Sequence, residues 1–437
     1  MQKGIRILIG SGCVLLLLIT WIIAVNVQTP TQRQLVLIVE ATEFMNDGVY
    51  VRAVPLLEEA SGINAANTMI AEAKLKEAYL ALIDTRGFSR RYMGLLERQM
   101  SRRDADSGVF AEAANHQLRS NRIPEALLTL KDGIERTGCS NLVALYELNR
   151  YAFEIIRTSF EYISEISGGM MQVRQDGMWG IAGSNGIILI PCEYEKISTF
   201  SVDRAIVKKD GEIFALDRNN NRIALLRGDA QDFGNLADNR IPILIDGMWR
   251  RSTGDFTIGS VEFDEILTYS YGYAAASVSG RWGVIGFGTD WLVQPEFDAI
   301  ITDELGRSYG QGAVFVRMRD RVYLIADGKI AGEPFEDARP FTNEGYAAVR
   351  RNGKWGFIDI DGVVKIDFVF DDALSFGQHL AAVRVGEYWG YISRYGQIVI
   401  PAEYLTAKSF SNGRAPIQTE RGWQIITLLE FKERTRL

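Results

Sequence analysis

A tryptophan recurs about every 34 residues through the C-terminal half of the chain, and this period constrains the fold more than any other feature. Most copies follow a two-residue turn signal such as Asn352-Gly353. Asn-Gly and Asp-Gly pairs favour type I′ hairpins, because both central residues need a positive φ. Turn signals at Asn352-Gly353 and Asp361-Gly362 divide this stretch into short strands. The chain is therefore predicted to carry an all-β repeat domain.

Each repeat is assigned one residue at the tryptophan position. These residues are Trp179, Phe214, Trp249, Trp282, Tyr323, Trp355, Trp389 and Trp423. Glycine follows four of them, at Gly180, Gly283, Gly356 and Gly390. A buried indole supplies a large apolar area that closes one unit against the next, and the glycine lets an adjacent strand come close. We expect these residues to be structural, and we expect the two units without tryptophan, and the unit in which Arg250 replaces the glycine, to pack less regularly.

The pattern resembles the WG-repeat family. The units of that family carry a Trp-Gly in the second strand and then a return such as GIILIP, ending at Pro191, or GQIVIP, ending at Pro401. The resemblance extends from Ser159 to about Leu428. It implies a bacterial-type protein, and the tryptophan positions with their turn signals predict about eight three-stranded units within residues 158–428.

A second column of the repeat bears on whether the units close into a ring. Its first copy, at Phe160, comes before the first tryptophan position, and no copy follows Trp423. An open stack would leave the last strand edge unpaired. A ring in which residues 159–167 complete the unit around Trp423 removes that edge, as in β-propellers. The closed propeller-like ring is favoured, and an open β-solenoid is the alternative.

Residues 35–157 show helical periodicity. Ala53, Leu57 and Ala60 mark one face of a helix, and a second copy of this pattern places Ala126 and Leu130 behind Pro124. The spacing resembles tetratricopeptide-like helix pairs, which implies binding of partner proteins or peptides. A helical spacer is the alternative.

The N-terminus contains an uncharged apolar run at residues 7–25, which is about the length that crosses a bilayer as a helix. Lys3 and Arg6 precede it, so the positive-inside rule predicts a cytoplasmic segment 1–6, a transmembrane signal anchor 7–25 and a linker 26–34. The remaining chain, including a C-terminal tail at 429–437, is predicted to be extracytoplasmic. A cleaved secretory signal is the alternative.

Chemistry-bearing motifs are scarce in this chain. It has two histidines, and its three cysteines, Cys13, Cys139 and Cys192, have no metal-ligand spacing. The paired carboxylates Asp371-Asp372 have periodic counterparts beside other aromatic positions, which favours a structural role. We therefore expect no catalytic residue, no metal and no cofactor. The net charge of -7 argues against nucleic acid as a partner.

These observations predict a non-enzymatic, membrane-anchored module of the cell envelope that acts in protein–protein interaction or scaffolding. Its partners would be unidentified proteins or peptides. The alternative is a module that binds cell-wall glycan, which would need aromatic side chains of the repeats on an exposed groove.

Overall fold

The computed structural model describes residues 29–226 and 228–431. The chain divides into two compact units, Met1–Asn149 and Arg150–Leu437. The first unit is helical in its described part, and the second is built from strands. Residues 153–157, which the sequence analysis places in the helical domain, form strand β1.

The first unit contains seven helices within its described residues. They are α1 (Pro30–Asn46), α2 (Tyr50–Gly62), α3 (Thr68–Ala81), α4 (Phe88–Met100), α5 (Ser107–Arg119), α6 (Ile123–Thr137) and α7 (Ser140–Asn149). Each helix packs on the next one in the chain. The positions expected to face a neighbouring helix are fully buried, among them Ala53, Leu57 and Ala126. Pro124 lies in the first turn of α6, where its missing N–H removes no intrahelical hydrogen bond.

The predicted membrane localisation requires correction. Across residues 29–226 and 228–431, no helix is long and apolar enough to cross a membrane. The segment predicted to span, residues 7–25, lies outside the described residues, as does the segment 1–6. Of the predicted linker 26–34, residues 30–34 belong to α1. The single-pass localisation is therefore not supported.

The second unit is a closed β-propeller of eight four-stranded blades. The first four blades are β2 (Tyr162–Ile163), β3 (Met170–Gln175), β4 (Met178–Gly183), β5 (Ile188–Tyr194); β6 (Lys196–Ile197), β7 (Arg204–Lys209), β8 (Glu212–Asp217), β9 (Arg222–Leu225); β10 (Ala230–Phe233), β11 (Arg240–Ile245), β12 (Met248–Thr253), β13 (Ile258–Phe263); and β14 (Glu265–Ile266), β15 (Ala274–Val278), β16 (Arg281–Ile285), β17 (Trp291–Phe297).

The next four blades are β18 (Ala299–Ile300), β19 (Ala313–Met318), β20 (Arg321–Ala326), β21 (Lys329–Phe335); β22 (Asp337–Ala338), β23 (Ala347–Arg351), β24 (Lys354–Ile358), β25 (Val364–Phe370); β26 (Asp372–Ala373), β27 (Leu380–Val385), β28 (Tyr388–Ser393), β29 (Ile398–Tyr404); and β30 (Thr406–Ala407), β31 (Arg414–Thr419), β32 (Gly422–Leu428) with β1 (Phe153–Arg157). A short 3₁₀ helix, Leu429–Phe431, follows β32.

Strand β1 closes the ring. It pairs antiparallel with β32, so that Arg157 lies opposite Gln424 and Phe153 lies opposite Leu428. The eighth blade thus combines three strands from the end of the propeller with one from its beginning, which leaves β32 without a free edge. The prediction of a closed ring is confirmed, but the closing segment differs from the predicted residues 159–167.

The segment around Phe160 instead belongs to the first blade, where Tyr162 and Ile163 form the short strand β2. The first strand of most blades spans two residues, and for this reason the sequence pattern shows three strands per unit instead of four. In the second column of the repeat, the aromatic residue ends the outer strand of one blade. The next few residues then form the first strand of the following blade, as at Tyr194 and Lys196–Ile197.

Candidate binding site in the central channel

In five blades the tryptophan lies in the third strand, opposite the aromatic residue that ends the outer strand. Trp179 faces Tyr194 in this way, and Trp355 faces Phe370. Trp355 and Trp423 are buried, with 3% and 6% of their surface exposed. The other signature tryptophans, Trp179, Trp249, Trp282 and Trp389, are half-buried.

Two repeats carry a different residue at this position from the one that the sequence predicts. Lys209 pairs with Glu212 across the hairpin turn of the second blade, so the residue equivalent to tryptophan is Ile213 and not Phe214. In the fifth blade Val322 pairs with Phe335, so the equivalent residue is Val322 and not Tyr323. Phe214 and Tyr323 therefore occupy the place that glycine holds in other blades.

The glycine after the tryptophan accommodates a bulge in the outer strand. A Cβ atom on Gly180 would lie 2.5 Å from the carbonyl oxygen of Ile190, and one on Gly390 would lie 2.7 Å from that of Ile400. Gly283 and Gly356 also face the backbone of their outer strands. In the third blade Arg250 replaces this glycine. It pairs in register with Glu262, and the bulge falls after it.

The periodic carboxylates cap hairpin turns. Asp371 accepts a hydrogen bond from the Gly386 amide at 2.7 Å, and Glu336 accepts one from the Gly353 amide at 2.9 Å. Asp264 does the same for Gly280 at 2.8 Å. Asp372, the other member of the pair, lies 3.3 Å from the guanidinium of Arg339. These contacts give the paired carboxylates a structural role.

A cavity of about 1030 Å³ lies at the centre of the ring and is lined by segments from all eight blades. In each blade the lining segment connects the first strand to the second, as residues 164–169 do in the first blade. Several hydroxyl and amide side chains bridge neighbouring blades here. Thr199 Oγ1 donates to the carbonyl of Leu236 at 2.7 Å, and Ser270 Oγ donates to that of Tyr309 at 2.9 Å.

The lining segment of the fifth blade, residues 301–312, is twice as long as residues 164–169 and crosses the channel. Arg307 Nη2 lies 3.0 Å from the carboxylate of Glu165, in the first blade on the opposite side of the ring. Glu304 contacts Tyr162 of the first blade and Lys408 of the eighth. The carbonyl oxygen of Leu305 accepts a hydrogen bond from Asn235 Nδ2 at 3.1 Å. We call residues 301–312 the channel loop.

Glu165 and Asp303 share one arginine at the base of this loop. Arg307 Nε lies 2.6 Å from Asp303 Oδ2, and its Nη2 contacts Glu165. Burial first, and then the negative charge of Asp303, raise the pKa of Glu165, and Arg307 acts to lower it; the net effect is a pKa of about 7. Near neutral pH, Glu165 is therefore divided between its protonated and its ionised form.

Two-residue turns form one mouth of the channel, and several of them hold non-glycine residues at positive φ. The φ angles are 48° at Val202, 52° at Tyr271, 56° at Gln311, 50° at Gln378 and 65° at His379. This conformation is uncommon for residues other than glycine and asparagine, and a β-branched residue such as valine adopts it rarely. We call this set of turns the mouth turns. His379 Nδ1 also lies 2.8 Å from Glu344.

Of the ten signature residues predicted from sequence, all within the described ranges, Trp389 borders the cavity. The others lie within or between blades and serve packing. Sequence reasoning missed the channel loop and the mouth turns. A signal for the loop was present, because the spacing between Trp282 and the next assigned position is the longest in the series.

Fold and site together define a β-propeller with a partly filled channel. The family model of the WG containing repeat matches residues 179–212, 335–355, 355–389 and 389–423. The C-terminal region therefore contains WG repeats. No such match covers the helical unit, so its resemblance to tetratricopeptide repeats stays a prediction.

Among solved structures, Hsv2p of Kluyveromyces lactis shares 10% identity at a TM-score of 0.36, covering 55% of this chain and 92% of that one. A eukaryotic initiation factor shares 11% identity at a TM-score of 0.42, covering 64% and 88%. The Pan2 WD40 domain of Neurospora crassa shares 10% identity at 0.35, covering 62% and 89%. The propeller assignment rests on strand order and not on these likenesses. No curated protein sequence matches the chain significantly.

Proposed function

We propose that this protein is a non-enzymatic interaction scaffold whose propeller binds a protein or peptide partner at the mouth turns. The observation that carries the proposal is the choice of residues in these turns. Residues held at positive φ cost free energy relative to glycine or asparagine, and such strain is concentrated at functional sites in proteins.

A comparison of the mouth turns with the hairpins between the second and third strands supports the proposal. Most hairpins between the second and third strands use the same turn geometry and carry residues suited to it, such as Asp176-Gly177, Asp246-Gly247 and Asn352-Gly353, as the mouth turn at Asn412-Gly413 also does. The mouth turns include Val202-Asp203 and Gln378-His379 in place of such pairs. Since folding alone would favour Asn-Gly at both ends, the side chains at the mouth are better explained by contact with a partner.

The helical unit fits the same proposal. Three helix pairs and a final helix stack in chain order, and contacts also join α1 to α3 and α5 to α7. This arrangement is typical of tetratricopeptide-like arrays. We propose that it adds a second binding surface, so that the protein connects two partners.

Photo-crosslinking tests the proposal. Tyr271 lies in a mouth turn with 53% of its surface exposed, whereas Tyr395 is 85% exposed in an outer hairpin of the seventh blade. A benzophenone amino acid at position 271 should capture a discrete partner in cells, and the same probe at 395 should not. Equal capture at both positions, or capture at 395 alone, would refute binding at the mouth.

Cell-wall glycan binding has less support. It requires aromatic rings available for stacking, and the tryptophans of the repeats are buried or half-buried. Trp389 borders the cavity, but it also packs beside Tyr391 and Phe410 in the core of the seventh and eighth blades.

A further inference from the structure

Arg251 occupies a position that is apolar or aromatic in every other blade. It lies two residues after the tryptophan position, where Ile181, Val284, Phe357 and Ile425 are each no more than 1% exposed. The equivalent residues of the remaining blades are buried as well. Placing a guanidinium at this point in a blade interface has a desolvation cost, so its presence calls for a reason other than packing.

The side chain of Arg251 points into the cleft between the third and fourth blades. Arg251 lies on the same face of β12 as Trp249, which packs against Tyr269 and other residues of the fourth blade. It donates a hydrogen bond to the carbonyl oxygen of Phe287, in a turn of that blade. Arg240 of β11 places its guanidinium 4.6 Å from the centre of the Phe287 ring. Two arginines thus meet at one aromatic residue.

Three hydrogen-bond donors at this cleft have no acceptor among the residues that the structure describes. They are Nε of Arg240, Nε of Arg251 and the hydroxyl of Tyr269, and all three atoms are buried. Tyr269 is fully buried and its ring stacks on that of Phe287 at 6.2 Å. A buried donor without an acceptor destabilises the folded chain, and more so when the group is charged. Three such donors near the side chain of Phe287 indicate that a hydrogen-bond acceptor from outside the chain binds at this cleft.

Charge at the cleft is uncompensated. Within residues 29–226 and 228–431, no carboxylate forms an ion pair with Arg240 or Arg251. Two acids of the third blade have partners elsewhere, since Asp238 accepts from the Gly272 amide at 2.7 Å and Asp255 accepts from the Thr257 amide at 3.2 Å. The positive charges of both arginines act on the hydroxyl of Tyr269. Burial raises its pKa to about 12, while the charges of Arg251 and Arg240 act to lower it.

We propose that Arg240, Arg251 and Tyr269 form an oxyanion-binding site between the third and fourth blades, which takes a phosphate or a carboxylate group. Guanidinium groups present forked donors that match the oxygens of both anions. The ring of Phe287, 46% exposed, forms the wall of the site on the solvent side.

Thermal unfolding of the full chain in matched salts tests the site. Sodium phosphate and sodium N-acetylglutamate, each compared with sodium chloride at equal ionic strength, distinguish phosphate from carboxylate. At least one of the two should raise the unfolding temperature in a saturable way, because an anion that binds only the folded chain stabilises it. The Arg251→Leu variant restores the apolar residue of the other blades. It should fold in chloride and bind the active anion about tenfold more weakly or worse.

Arg250→Leu is the matched control, because it removes the same charge from the adjacent residue, whose partner is Glu262. It should retain the anion response. Arg251→Lys keeps the charge but lacks Nε, and it should also weaken the response, which covers the case of an Arg251→Leu variant that fails to fold. If neither anion stabilises the wild type beyond chloride, or if Arg250→Leu loses the response as fully as the Arg251 variants, the site does not exist.

Discussion

Gly180 lies against the backbone of its outer strand, so closely that a Cβ atom would meet the Ile190 carbonyl oxygen at 2.5 Å. The tryptophan before it and the bulge beside it form one unit, because the bulge brings the outer strand over the glycine. The Trp-Gly pair is therefore a packing signature. It permits a close approach between the third strand and the outer strand of the blade.

Gly180→Ala should destabilise the propeller by about 1–3 kcal/mol, the usual cost of forcing a methyl group into a packed site. Denaturant unfolding followed by tryptophan fluorescence measures this, since all tryptophans in the described residues lie in the propeller. Gly228→Ala is the control, because a Cβ at Gly228 meets no atom within 4 Å. Equal stability of the Gly180 and Gly228 variants would show that the close approach has no energetic role.

At the residue scale, the distance from the hairpin turn predicts the tryptophan position of each blade better than residue type does. Phe214 and Tyr323 share the aromatic character of the tryptophans, yet the register with the second strand makes Ile213 and Val322 the equivalent residues. Counting from the hairpin turn places all eight residues correctly. The sequence shows Arg251 as a charged residue at an apolar position of the repeat, but it cannot show that the donors of Arg240 and Arg251 lack acceptors, because pairing is a property of the folded chain.

At the scale of elements, the channel loop is the largest departure from the repeat. The spacing of the tryptophan positions shows where the extra residues lie, but not that they enter the channel. The contacts that place the loop join residues far apart in the chain, such as Glu165 with Arg307 and Lys408 with Glu304. Such pairings depend on ring closure and cannot be derived from local patterns. The outer hairpins, by contrast, follow from turn residues such as Asn352-Gly353.

Glu165 makes the stability of the propeller depend on pH. Its pKa in the folded chain is about 7, above its ordinary 4.5, so the folded state binds the proton more tightly than the unfolded state. This contribution is fully present below the ordinary pKa and is lost as the pH rises through about 7. Glu165→Gln removes the dependence. The unfolding temperature of the wild type minus that of the variant should therefore fall between about pH 5 and pH 8.

Thermal scans of both proteins across this range provide the measurement. Glu333→Gln, at an exposed position of β21, controls for the loss of one negative charge. The difference in unfolding temperature between the wild type and Glu165→Gln should change with pH. If it stays constant, or if the difference between the wild type and Glu333→Gln changes equally, the titrating group is not Glu165 at the channel loop.

At the scale of the whole molecule, the sequence predicted a closed ring and misplaced the strand that closes it. Strand β32 does require a partner, because a free strand edge invites pairing with other chains. The partner is β1, in a segment with no turn signal before it, and its apolar residues Ile155 and Ile156 continue the pattern of the preceding helices. A strand that pairs across more than two hundred and fifty residues has no local signature. The two-residue first strands escaped prediction for the related reason that they are too short to show a period.

The channel, its loop and its mouth turns exist only if strand β1 completes the ring. In a chain whose native cysteines are replaced, cysteines at Arg157 and Gln424 should form a disulfide on oxidation, since directly opposed residues of paired strands lie within bonding reach. Cysteines at Arg157 and Thr406 should not, because β30 lies at the far edge of the same blade, about 14 Å away at three strand spacings. Disulfide yield, read from electrophoretic mobility without reductant, is the measurement. High yield for the first pair and none for the second is the predicted result; no bond at 157–424, or equal yields for both pairs, would contradict the closed propeller.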